Sequence, residues 1–160
     1  MNKIVSTQLL ASDHMEHLEL PSETWNMRRE YFENLIFEYE EKGSYLVSEQ
    51  ACALIAEVQS CFCAGAWITV IILAFTVIDA QLRETELLDF KGNSKQLLKR
   101  LGFDARFQKL RLRRNELVHI NLDSPAITVD QQWADRGKLE EEAKESIQLM
   151  LEAFFSNPGT

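Results

Sequence analysis

Arg114, Asn115 and His119 are the residues of this chain whose types and spacing suit a reaction. They lie in the run Arg113-Arg114-Asn115-Glu116-Leu117-Val118-His119-Ile120-Asn121. On a helix, Asn115 and His119 share a face one turn apart, while Arg114 and His119 stand about 140° apart around the axis. A long Arg side chain can bring its guanidinium toward the His from the neighbouring face. The set suits cleavage of RNA without a metal. Attack of a ribose 2′-OH on the adjacent phosphorus needs a base to take a proton and an acid to protonate the leaving oxygen. A His does either near neutral pH. Charge building on the phosphoryl oxygens suits the bidentate fork of an Arg, and Asn115 is placed to orient the His or the phosphate. One chain supplies a single candidate His here, so a two-fold dimer would be needed to set an acid and a base at one interface. The competing reading is plain. A His at a helix end commonly interacts with the negative end of the dipole, and Arg-Asn-x-x-x-His arises often by chance.

The motif closes the one basic block of an acidic protein. Over 160 residues the formal charge is −8, with 17 Lys and Arg against 25 Asp and Glu. Positions 91–114 hold nine of those cations (Lys91, Lys95, Lys99, Arg100, Arg106, Lys109, Arg111, Arg113, Arg114) opposed only by Asp104, a local charge of +8 that leaves −16 on the rest. An overall pI near 4.9 speaks against a nucleic-acid binder, but a concentrated basic surface can still bind polyanions. Lys99, Arg100, Arg106, Lys109, Arg111 and Arg113 are the candidate RNA contacts. The alternative is that these cations pair with acidic helices of the same bundle or of a partner.

The length suits one domain with its own core, and 46% hydrophobic with 26% charged residues argues against wholesale disorder. Six Gly and three Pro, mostly at apparent boundaries, favour long helices over many short strands. Three Cys without a Cys-x-x-Cys read as free thiols in a reducing cytoplasm. No secretory signal is read at the N-terminus. Positions 61–78 form an 18-residue uncharged run, but it lacks a flanking positive cluster and aromatic belts. It reads as a buried central helix, with no membrane contact expected.

Residues 1–20 read as a tail or short helix, in which His14 and His17 are exposed polar groups rather than metal ligands. Pro21-Ser22-Glu23 starts a helix capped by Ser22, with Trp25, Met27, Tyr31, Phe32, Leu35, Ile36 and Tyr39 on one face, stopped by Gly43. Ser48 opens the next helix, Gly65 marks a break or close contact, and an apolar helix runs from 66 to about 88. Gly92-Asn93-Ser94 is a turn and cap before a short helix ended by Gly102. The motif helix runs from about 104 to 120. Residues 126–134 read as an irregular or extended connection. The final helix runs from about 138 to 155, with Glu-rich first turns suited to its dipole. The expected fold is all-α: an antiparallel up-and-down bundle of four to six helices, a single domain over 21–156 with a tail at 157–160.

Arg114-Asn115-Glu116-Leu117-Val118-His119 resembles the signature of the HEPN superfamily, an Arg, four to six residues and a His, often with a polar residue after the Arg. The helix order resembles it too, from a long apolar helix through a Lys-rich linker helix to the motif helix and a last amphipathic helix. The resemblance covers about 44–155. It implies a helical bundle that dimerises through the motif helices and, in many members, a metal-independent endoribonuclease of toxin–antitoxin, abortive-infection or other defence systems. Carried over, Arg114 and His119 would be catalytic and Asn115 supporting, with Arg113 a second candidate for the Arg. Asp79 or Glu84 would be the acidic residue of the preceding helix. Where a nucleotidyltransferase-paired subgroup has a Tyr two positions after the His, this chain has Asn121. No cofactor or metal is implied. The expected partners are a second copy, RNA or a nucleotide, and an antitoxin or regulatory protein. The resemblance also admits binding-only members, so the alternative is a non-catalytic module that holds a nucleotide, RNA or a protein on the basic surface.

Overall fold

The computed structural model describes residues 20–159; the expected tail or short helix over 1–20, with His14 and His17, lies outside them apart from Leu20, as does Thr160. Among the described residues seven helices follow one another: α1 Ser22–Glu40, α2 Glu49–Ala64, α3 Trp67–Thr85, α4 Ser94–Arg100, α5 Ala105–Val118, α6 Val129–Ala134 and α7 Arg136–Phe154. The protein is an all-α bundle, with no named strand among the described residues.

α3 is the centre. Its buried residues, among them Val70, Ile71, Ala74, Phe75, Val77, Ile78, Ala80 and Leu82, span more than half of the helix circumference, so it must be covered on more than one side. α7 and α2 provide the largest covers, and α5 packs on a further side. This is the buried central helix expected from the uncharged run. Gly65 splits that run by capping α2 in the left-handed region at φ 74°, where a side chain would be strained. No described helix is long and apolar enough to cross a membrane.

Local signals placed most ends. The Ser48 hydroxyl accepts from Ala51 N–H, Asn93 and Gln96 form a reciprocal capping box, and the Asp104 carboxylate accepts from Arg106 N–H. Four expectations need correction. Ser22 is the first helical residue rather than the cap; Pro21 precedes it and no side chain caps α1. Met27 is 61% exposed and Trp25 39%, because α1 buries only Phe32 fully against its neighbours. The 126–134 connection contains α6, started by a Thr128–Gln131 capping box. α7 begins at Arg136, so its first turn holds no acidic residue.

Buried Gln81 ties the ends together. Its Oε1 accepts from Ser48 N–H at 2.8 Å, and its Nε2 donates to Leu46 O at 2.9 Å. The segment read as a C-terminal tail docks on the same end of the bundle. Asn157 O accepts from Leu46 N–H, Gly159 N–H donates to Ser44 O, and Asn157 Nδ2 donates to Thr85 O. The three thiols are free, and burial pushes each above its ordinary pKa.

Candidate functional site

α5 carries the motif and faces the core through Phe107, Leu110 and Leu117. Those positions continue through Arg114 at spacings of three, four and three, so Arg114 sits on the core-facing line of the helix. A cation on an apolar stripe is a sequence signal that the motif spacing alone did not use. Arg114 Nε is buried without a hydrogen-bond partner, while its NH1 donates to Asn115 Oδ1 at 3.1 Å.

Arg114 and Asn115 line a cleft of about 300 Å³ between α3, α4 and α5. α3 contributes Phe75, Thr76 and Asp79, α4 with its cap contributes Asn93, Ser94 and Lys95, and α5 adds Arg111. Asp79 therefore stands on the cleft beside the motif Arg. Its Oδ2 accepts from Arg83 Nε at 2.8 Å, and its Oδ1 is buried without a partner. Glu84 is committed elsewhere, accepting from the Ser48 hydroxyl at 2.6 Å. Of the two acids left open by the sequence, Asp79 is the one on the cleft. Arg83 also donates to Gly92 O at 3.1 Å and Phe90 O at 3.4 Å. One guanidinium thus holds Asp79 and anchors the loop that leads to Asn93, Ser94 and Lys95.

His119 does not line this cleft. α5 stops at Val118, and His119 is its C-cap in an extended conformation (φ −112°, ψ 130°), donating its N–H to Asn115 O. Its side chain is exposed, next to Ile120, 91% exposed, and Leu122, 72% exposed. A single chain brings Arg114 and Asn115 together with Asp79 and leaves His119 at the helix end.

The other cations divide. Arg113 turns toward α7, its Nε donating to Glu142 Oε1 at 2.6 Å and its NH1 to Ala126 O at 3.0 Å. Arg106 bridges Asp104 at 2.7 Å and Glu152 at 3.0 Å, and its hydrogen bonds hold the Asp104 carboxyl below the usual carboxylate range. Lys109 lines a groove between α5 and α7 together with Glu141, Glu142 and Glu145. Lys99 and Arg100 are exposed on α4, with the Arg100 guanidinium 5.9 Å from the Phe90 ring centre. Arg111 Nε donates to Gln108 Oε1 at 2.8 Å. The block therefore divides: Arg106 and Arg113 pair within the bundle, whereas Lys95, Arg111 and Arg114 line the cleft. Lys95, Ser94 and Thr76 were absent from the sequence-derived site because they come from other helices at no diagnostic spacing. Comparison with protein-family models, with characterised proteins and with solved structures gives no match to this chain.

Proposed function

We propose that the protein is a HEPN-type metal-independent endoribonuclease that works as a homodimer, in a toxin–antitoxin or other defence or stress role. The observation that carries the reading is Arg114: a cation on the core face of α5, its Nε buried without a partner, opening with Asn115 and Asp79 into a basic cleft. Such a group is costly to keep unless it meets a charge from outside. In the reaction, the 2′-oxygen bonds to phosphorus as a base takes its proton. The P–O5′ bond breaks and the leaving oxygen takes a proton, giving a 2′,3′-cyclic phosphate and a 5′-hydroxyl. Arg114 holds the charge on the non-bridging oxygens, and His119 supplies acid or base. Leu112, Val118, Ile120 and Leu122, between 40% and 91% exposed, support a contact between two copies that brings His119 side chains to one interface.

Purified protein is incubated with RNA in EDTA beside Arg114→Ala and His119→Ala, and its mass is measured with and without Ile120→Glu. Cleavage by wild type, lost in both site variants, and a dimer weakened by Ile120→Glu are expected. Equal cleavage by all three proteins overturns the reading. The position of His119 outside the cleft favours a second reading, a non-catalytic module that binds RNA or a nucleotide. It predicts binding without turnover in the same samples, unchanged by His119→Ala.

A further inference from the structure

The cleft extends away from His119. Arg111 lies eight positions before His119 on the chain, about 12 Å along the axis if the helix continued to that point. At that far end Lys95 of α4 joins Arg111 of α5 on the wall. Among the described residues, the Lys95 ammonium and the terminal nitrogens of Arg111 meet no carboxylate within ion-pair distance; the one hydrogen bond of the Arg111 side chain comes from its Nε. The anionic group on the cleft, Asp79, is offset by Arg83. The remaining charge is that of three cations, Lys95, Arg111 and Arg114, around a space of about 300 Å³. Two guanidinium forks and an ammonium suit phosphate oxygens rather than an uncharged ligand.

We propose that Lys95 and Arg111 form a backbone-phosphate subsite for single-stranded RNA, beside Arg114 at the reacting phosphate. The subsite holds a phosphate next along the strand from the one that His119 would serve. The proposal rests on the ribonuclease reading for its choice of ligand, but it concerns binding and not turnover. Lys95 and Arg111 touch the neighbouring phosphate and not the reacting one. They govern how tightly and in which register a strand lies, with no preference among bases because the contacts are to phosphate.

The test measures binding of a short fluorescein-labelled oligouridylate over a range of salt concentrations, in EDTA. The protein carries His119→Ala so that the strand stays whole. Lys95→Gln/Arg111→Gln is compared with Arg29→Gln/Lys42→Gln, an equal loss of charge at exposed positions outside the cleft and outside the basic block. Thermal melting confirms that both doubles are folded. Loss of the contact to one phosphate is expected to reduce the slope of log affinity against log salt by about 0.7 for the cleft double, with a smaller change for the other. Equal changes, no change, or no RNA binding by the parent overturns the subsite. Cleavage by the His119-containing protein is scored separately. A failed subsite with intact cleavage leaves the ribonuclease reading standing, and a working subsite without cleavage removes that reading alone.

Discussion

Arg113 and Arg114 are neighbours in sequence and about 100° apart around α5, so the same replacement should have opposite consequences at the two positions. Arg113→Met removes the bonds to both Glu142 oxygens, at 2.6 and 3.4 Å, and the bond to Ala126 O at 3.0 Å. Hydrogen bonds involving a charged group contribute about 1.5–3 kcal/mol when shielded. Here the two side chains are 24% and 31% exposed, so solvent screens the pair and a total loss of about 1–2 kcal/mol is expected. Arg114→Met keeps most of the stem and removes a buried nitrogen that has no partner. An unsatisfied buried group of this kind costs about 1–3 kcal/mol, which offsets the lost bond to Asn115. Asp79 keeps Arg83, and its Oδ1 is already unpaired, so no new orphan is created. Stability should change by less than about 0.5 kcal/mol or rise slightly. RNA cleavage should fall by about 10²–10³ in Arg114→Met, as for loss of a group that meets developing charge, and stay within a few-fold in Arg113→Met. Urea unfolding followed by tryptophan fluorescence gives the first pair of numbers, and cleavage of a fluorogenic RNA in EDTA gives the second. A greater destabilisation by Arg114→Met than by Arg113→Met, or loss of cleavage in Arg113→Met, would overturn these roles of the two arginines.

Two further outcomes follow from the packing. Gln81→Leu fills the same space but strips Ser48 N–H, a buried donor, of its acceptor. Leu46 O belongs to a residue 54% exposed and can return to water, so the expected loss is about 2 kcal/mol. An unchanged urea midpoint would count against the staple. The raised thiol pKa values work in the opposite direction to a paired carboxylate. The folded thiols keep their protons at a pH where the unfolded ones ionise, so their contribution is complete below about pH 8.5 and is lost as pH rises. Replacing Cys61 and Cys63 with Ala should flatten the alkaline limb of a stability–pH profile. A limb of identical steepness would show that these thiols do not set it.

Much of the helical framework was legible because its signals are short-range. Ser48, Asn93 and Asp104 cap through their own side chains within three residues, and Gly65 adopts a backbone conformation that other residues resist. The apolar first half of α3, Trp67 to Ile78, required a central position whatever surrounded it. α6 went unread although its Thr128-x-x-Gln131 box is equally local, because six residues are too few to show a helical period.

The sequence by itself determined where most helices start and stop, that α3 is buried, and that one basic block stands apart in an acidic chain. Only the tertiary structure decided which cations of that block are engaged and which acid joins the motif. Arg113 and Arg114 both fall within the motif spacing, with Asn115 following Arg114. The packing of α5 against α3 and α7 sets its rotation, which sends Arg113 to Glu142 and Arg114 into the cleft. Asp79 and Glu84 likewise share one helix. The docking of the α1–α2 loop occupies Glu84 through Ser48 and leaves Asp79 on the wall. Capping is an interaction between near neighbours and can be read along the chain. The direction in which a helix turns its charged face is set by partners tens of residues away, so it emerges only when the helices pack.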